Sequence, residues 1–360
     1  MRSVYIHIPF CKSICSYCDF CKFLYNDKWA SAYLSILSKE IDEYYEKDKV
    51  KTIYIGGGSP SSLSINNLEK LFKIVKKFDL IHNGEFTFEC NINDITPELL
   101  LLLKENNVNR LSIGVESFNK KNLEFLNRSH DKDLINKNIA LCKEYGFSNI
   151  NVDLMYALPT ENLNILKKDV KSILKLDVSH ISTYSLIIEE HTMIYNDNVK
   201  SIPEELDYKM YTYICKKLAK KGFNHYEVSN FAKSNKQSEH NLTYWNNQEY
   251  YGFGLGASGY INNIRYENSR NLNKYLECKF RFNELLVSNQ EEMENELILG
   301  LRKLEGINVE FFRTKYDKDI FDAFKLDEAL EKGYLKFENG YLFIPENKIY
   351  VMNEIINMIM

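Results

Sequence analysis

No apolar run in this 360-residue sequence approaches the length of a membrane span. The longest, around Leu99–Leu103, is bounded by Glu98 and Lys104. The opening residues, MRSVYIHIPF, enter a strand-like pattern at once. They lack the long apolar core and small-residue cleavage site of a secretory signal. Neither charge sign is in large excess. Against 46 basic residues stand 50 acidic ones, so the net charge of −4 gives no general pull toward nucleic acid or anionic membrane. Internal repeats and low-complexity linkers are absent. These absences lead us to expect a cytoplasmic protein. A 44% hydrophobic and 27% charged composition fits a folded chain, long enough for one large domain plus a smaller one.

Cysteine is sparse and unevenly placed. Four of the eight fall within FCKSICSYCDFC, Phe10 to Cys21. In a reducing compartment such a group suggests metal binding or catalysis rather than disulfides. Cys90, Cys142, Cys215 and Cys278 are isolated and read as small buried apolar residues. Cys11, Cys15 and Cys18 have the spacing C-x3-C-x2-C. Three thiolates on one short loop can hold three irons of a [4Fe–4S] cluster, leaving the fourth to Cys21 or to an outside molecule. An iron with an open position can bind and activate a ligand. Structural zinc usually needs two separated ligand pairs, and no second C-x2-C lies downstream.

Six β-rich runs alternate with helical patterns. SVYIHI from Ser3, TIYI from Thr52, EFTFEC from Glu85, RLSIGV from Arg110, INVDLM from Ile150 and HISTYSL from His180 read as strands. Trp29–Tyr45, Leu68–Phe78, Pro97–Glu105, Lys132–Tyr145 and Asn164–Leu174 read as helices. Six β/α units argue for a parallel sheet, either open and doubly wound or curved into a partial barrel. Polar groups gather at the C-terminal ends of the strands. They are the cysteine loop, GGGSPS (Gly56–Ser61), Glu89 to Asn91, Glu116 with Ser117, and Asp153. Parallel α/β folds build their sites at those ends.

Beyond Glu205 the alternation stops. An amphipathic helix, Glu205–Lys221, precedes YEVSNFA, HNLTYW and the glycine-rich GFGLGASG. Helices near Glu291–Leu304 and Ile320–Gly333 then lead to YLKFENGYLFI, a hairpin turning at Asn339-Gly340. This C-terminal arrangement resembles a winged helix. No basic stripe accompanies it, so nucleic acid is not an expected partner.

YIHIPFCKSICSYC, with Tyr17 as the aromatic before the last cysteine, resembles the cluster loop of the radical S-adenosylmethionine (SAM) superfamily. Together with GGGSPS, RLSIGVESF, DLMYALP, YEVSNFA and HNLTYW it resembles the oxygen-independent coproporphyrinogen III oxidase family over almost the whole chain. That family includes HemW-type heme chaperones. The resemblance implies a partial (β/α)6 barrel, about residues 1–225, with an α-rich cap over 226–360. It implies a [4Fe–4S] cluster on Cys11, Cys15 and Cys18, with SAM chelating the open iron.

The resemblance also implies a SAM pocket. Gly57 and Gly58 would let backbone approach the methionyl group. Ser59 would keep the hydroxyl that the family usually takes from Thr. Glu89 and Asp153 would accept from the ribose or amino group, and Arg128 would pair with the carboxylate. Tyr5 and Ile187 would complete the lining. Glu116 stands where the family usually has Gln, so its partner must be a donor or it must be protonated.

Two functions are implied. One is radical decarboxylation of coproporphyrinogen III; the other is heme carriage to acceptor proteins, respiratory enzymes among them. Membrane contact would come only through those acceptors, and the state would be monomer or homodimer. Whether the chain is an enzyme stays open, as does other radical chemistry. Three features resemble the chaperones. Phe20 occupies the place of the oxidase's fourth cysteine, with Cys21 one residue out of register. The chain begins close to its first strand, where the oxidase carries an extension. HNLTYW reproduces an HNxxYW signature. His240 would then be the candidate heme ligand, with Tyr244 and Trp245 beside the porphyrin, between barrel mouth and cap. A lone histidine is also commonly a hydrogen-bonded structural residue. Tyr260 stands where the chaperones commonly have another histidine.

Overall fold

Polar caps and apolar spacing divide the chain into repeating units. The computed structural model describes residues 1–360, and six strands appear where the alternation predicts them: β1 (Arg2–Ile8), β2 (Lys49–Gly57), β3 (Asp79–Asn91), β4 (Arg110–Glu116), β5 (Asn149–Tyr156) and β6 (His180–Ser185). Helices α1 (Asp27–Tyr44), α2 (Ile65–Val75), α3 (Pro97–Glu105), α4 (Lys132–Glu144) and α5 (Leu163–Ile173) connect them. Asn26, Ser64, Thr96, Asp131 and Asn162 each accept a backbone N–H in the first turn that follows. Pro97 begins α3, where its missing N–H leaves no bond unmade.

β1 to β6 pair in chain order, every pair parallel. A doubly wound sheet would reverse strand order at a switch point. This sheet has no reversal among its six strands, so it winds one way as a partial (β/α)6 barrel.

The sheet continues past residue 225, where the cap was expected to begin. β7 (Asn224–Glu227) and β8 (Asn230–Ala232) extend it beyond β6. β9 (Tyr250–Phe253) joins β1 in parallel. β10 (Ser258–Ile261), β11 (Ile264–Asn268) and β12 (Arg281–Leu286) follow antiparallel, making twelve strands. One apolar core runs through to Phe280, and a separate one begins at Met293. The change of core therefore lies some sixty residues later than the boundary expected at 225.

Three further helices are α6 (Glu204–Ala219), α7 (Glu239–Trp245) and α8 (Asn289–Gly300). Ser288 and Glu291 form a reciprocal capping box at the start of α8. The helix expected over Ile320–Gly333 is two short ones, Ile320–Ala323 and Asp327–Glu331. Phe324 between them is extended and packs on Phe312, so tertiary contact overrides local propensity. The hairpin turns at Asn339 (φ 53°) and Gly340 (φ 83°), as its sequence requires. Cys90 and Cys142 are buried, but Cys215 is half-buried and Cys278 is exposed, correcting the expectation for the last. No helix is long and apolar enough to cross a membrane.

Candidate functional site

The cysteine loop is closed at its base and pinned across its crown. Phe10–Cys11 pairs in parallel with Phe23–Leu24. Ser16 donates its hydroxyl to Phe125 O (2.7 Å), and Asn127 Nδ2 donates to Ile14 O (2.7 Å). The loop therefore sits over the C-terminal ends of the strands. A cavity of about 470 Å³ opens there.

Twelve of the fourteen residues singled out from sequence line that cavity. The loop contributes Cys11, Cys15, Cys18 and Tyr17. Gly57, Gly58 and Ser59 come from the end of β2 and the turn after it. Single side chains come from β3 (Glu89), β4 (Glu116) and β5 (Asp153), and Arg128 and Ile187 close the sides. Cys21 does not line it. Its sulfur faces Arg270 O (3.8 Å) and packs against Gly256.

No three His, Cys, Asp or Glu side chains are grouped to hold one metal ion. A four-iron cluster needs a different arrangement, one sulfur for each of three separate irons. Burial pushes the Cys11 thiol up to about 12 and raises those of Cys15 and Cys18, so a cation entering here displaces protons.

The acid at position 116 has a donor partner. Arg128 donates to Glu116 Oε1 at 2.8 Å and to the Tyr17 hydroxyl at 3.2 Å. Glu116 adopts φ 65°, a left-handed conformation uncommon for a side-chain-bearing residue, where the β4–β5 register shifts. Glu89 accepts from Tyr54 Oη (2.6 Å) and Gly57 N (3.0 Å), and burial raises its carboxyl. Asp153 accepts from Asn151 Nδ2 at 2.8 Å. Burial, then the nearby Glu116, pushes the Asp153 carboxyl up to about 7. Both carboxyls face the cavity yet lie deep in protein. Five acids (Asp19, Glu89, Glu116, Asp153 and Glu189) line the cavity against two cations, Lys22 and Arg128. That excess suits a ligand carrying a sulfonium and an ammonium, so the donor set fits SAM. A SAM carboxylate would share Arg128 with Glu116.

The glycines are explained by packing within the protein. A Cβ on Gly57, at φ 112°, would come within 2.5 Å of the His7 ring. A Cβ on Gly58 would meet Cys11 Sγ at 2.9 Å. His7 itself bridges Tyr5 Oη (2.9 Å) and Cys21 O (2.8 Å), tying β1 to the end of the cysteine loop. Gly57→Ala is expected to cost about 2–4 kcal/mol from backbone strain and overlap with His7. Urea unfolding measures that cost, and a change within about 0.5 kcal/mol would contradict the role given to packing.

Sequence reading missed Asn151, Ser112, Ser182 and Tyr184. Asn151 Nδ2 also donates to Ser112 Oγ (2.9 Å), and Ser182 Oγ donates to Asn151 Oδ1 (3.0 Å). Tyr184 lines the cavity. The two-residue strand period gives a signal for them. Asn151 shares a face with Asp153, and Ser182 pairs with Asp153 on the next strand.

Tyr5 and His240 lie outside the cavity. Helix α7 enters the opposite, N-terminal end of the strands. Glu85 on β3 accepts from the backbone N–H of Glu239 (3.0 Å) and His240 (3.1 Å). Glu85 is four residues before Glu89, about 13 Å along the strand. His240 is 1% exposed, and both its ring nitrogens have partners: Nδ1 with Thr52 Oγ1 and Nε2 with Tyr244 Oη, each at 2.7 Å. Tyr5 and Tyr54 pack beside the ring. The expected position of His240 between mouth and cap is therefore corrected: it plugs the far end and offers no free nitrogen. Tyr260 is also buried, beneath Arg265 at 4.6 Å.

Burial depresses His240 to about 3, against an ordinary 6.5. The unfolded chain binds this proton below about pH 6.5 and the native one does not, so the contribution is full above 6.5 and lost as pH falls. His240→Gln removes the linkage. Its destabilisation measured near pH 7 should shrink by about 1.4 kcal/mol per pH unit below 6.5. A pH-independent difference in urea unfolding would contradict a buried neutral imidazole.

Two family models match the chain: the radical SAM superfamily over residues 5–173 and the HemN C-terminal domain over 287–349. The heme chaperone HemW of Lactococcus lactis is 43% identical over 323 residues, covering 88% of this chain and 85% of that protein. HemW of Bacillus subtilis is 37% identical over 374 residues, covering 99% and 98%. Among solved structures, the coproporphyrinogen III oxidase HemN of Escherichia coli, a radical SAM enzyme, superposes with TM-score 0.87. That match is at 20% identity and covers 99% of this chain and 89% of that one.

Proposed function

Because the chain belongs to the family of HemW heme chaperones, within the radical SAM superfamily, we propose that it binds heme and passes it to acceptor proteins. The observation that carries this reading to the site is the apolar rim of the cavity. Phe20 is 62% exposed and Ile187 67% exposed, with Tyr184 beside them. Exposed apolar groups around a cavity mouth suit a flat, largely apolar macrocycle. Heme would rest on this rim, and its propionates would face water. The HNxxYW helix would then support heme binding from below, by fixing the strands, rather than by ligation.

Cys11, Cys15 and Cys18 would hold the [4Fe–4S] cluster, leaving one iron open to SAM. When bound, the cluster and SAM would together supply one-electron chemistry. Backbone at Gly57 and Gly58 and the Ser59 hydroxyl would bind the methionyl end. Glu89 and Asp153 would accept from its amino group and ribose, and Arg128, steadied by Tyr17 and Glu116, would orient the carboxylate. We place the protein's work in the cytoplasm, with heme acceptors such as respiratory enzymes as partners.

Titration of anaerobically reconstituted protein with hemin, followed through the Soret band, tests the reading. Saturable binding near one heme per chain is expected, weakened about ten-fold or more by Phe20→Ser with Ile187→Ser and little changed in His240→Gln. Unsaturable binding, alike in all three proteins, would refute it.

A further inference from the structure

A second surface lies on the outer wall of the barrel, turned away from the cavity mouth. Helices α5 and α6 leave a groove of about 690 Å³ between them. From the α5 side, Lys167, Lys168, Lys171 and Lys175 line it. Lys217 and Lys221 face them from the α6 side, with Lys233 at one end. Leu174, Tyr213 and Phe223 give the groove an apolar component. A cavity of about 520 Å³ prolongs it along α6, past Lys209, Lys216 and Lys220. Another of about 540 Å³ turns the corner past Lys143 and Lys236.

Twelve lysines therefore line one continuous surface, and Asp177 is the only carboxylate lining it. Asp177 is already held by Lys233 (2.8 Å) and Lys143 (3.7 Å), and Lys209 is paired with Glu205. The other nine lysines have no carboxylate within 4.0 Å. Without these twelve lysines and Asp177, the totals of 46 and 50 become 34 basic against 49 acidic residues. The molecule is strongly polarised although its net charge is small.

The fold accounts for only part of this crowding: Lys171, Lys216 and Lys217 sit in the last turns of their helices, where a cation is favoured. Lys175, Lys220 and Lys221 lie just beyond the ends of α5 and α6, but Lys167 and Lys171 are four residues apart within α5. Like charges at that spacing destabilise a helix. We propose that the groove between α5 and α6 docks an acidic peptide segment of a partner protein, one with an apolar side chain among its carboxylates. The apolar component is what selects this class. Lys167 lies over the Tyr213 ring (5.6 Å) and Lys233 over Phe223 (5.6 Å), so an inserted apolar side chain would find rings and lysine stems beneath the charges. A planar bilayer does not enter a cleft between two helices. No arginine lines any part of the surface, so phosphate finds no bidentate fork. A partner held here would leave the cavity mouth free.

Fluorescence anisotropy with a short Glu-rich peptide carrying a central Phe tests the assignment. Saturable binding is expected, falling with added salt and weakened about ten-fold or more by Lys171→Glu/Lys217→Glu/Lys221→Glu. The control Lys120→Glu/Lys121→Glu/Lys318→Glu has the same net charge and should bind like the parent. The groove variant should keep its hemin titration unchanged, which separates this surface from the cargo site. No saturable binding, equal binding by the groove variant, or tighter binding of phosphatidylserine vesicles or single-stranded DNA than of the peptide would overturn the proposal.

Discussion

The Cys15→Ala protein, reconstituted anaerobically with iron and sulfide, is expected to lose essentially all of the roughly four irons per chain that the parent takes up. The expectation follows from the loop's geometry. Cys11, Cys15 and Cys18 are its three sulfurs facing the cavity, and a cubane held by two cysteines keeps two irons without a protein ligand. Cys21→Ala should leave iron content and the electron paramagnetic resonance of the reduced cluster unchanged, because that sulfur faces Arg270 and Gly256. Full iron in the first variant, or lost iron in the second, would contradict the assignment. The second outcome would mean a four-cysteine cluster with no iron left for SAM.

Glu85→Ala should cost about 3–5 kcal/mol in urea unfolding, well above the loss of a single neutral hydrogen bond. Glu85 accepts the first two backbone N–H groups of α7, where the helix dipole also favours a negative charge. It faces Arg110 at 4.0 Å, and the two side chains are 7% and 2% exposed. Removing the carboxylate leaves a buried guanidinium without its counter-charge and the first two N–H groups of the helix without their acceptor. Glu85→Gln keeps one acceptor oxygen and should cost clearly less. Both variants should still assemble the cluster, since Glu85 is at the other end of the strands from the cysteines. Equal losses in the two, or a cost below about 1 kcal/mol for Ala, would show that α7 is not anchored this way.

The barrel was legible because each unit carries its own punctuation. Thr96 and Pro97 mark the start of α3, and Asp131 and Asn162 do the same for α4 and α5. The cavity was legible because parallel strands bring their C-terminal ends together, so Gly57, Glu89, Glu116 and Asp153 converge though they are distant in sequence. Periodicity could not tell which end of the barrel α7 enters. A seven-residue helix carrying His240 looks the same at the mouth or at the base; long-range contacts fix it at the base, with Glu85 accepting its first N–H groups and Thr52 meeting the His240 ring. Nor could local pattern show that β7 to β12 extend the same sheet, since pairing between β1 and β9 spans more than two hundred residues of sequence. The lysine groove was hidden for a similar reason. Its charges come from four separate stretches, and the acidic remainder of the chain cancels them in the total.

Incubation of the reconstituted protein with coproporphyrinogen III, SAM and a one-electron reductant, with products read by mass spectrometry, separates carrier from oxidase most directly. A heme carrier forms no more than substoichiometric vinyl-bearing product, even when the cluster is full and SAM is bound. Many turnovers per protein would contradict heme carriage as the function and make the same cavity the active site of a decarboxylase.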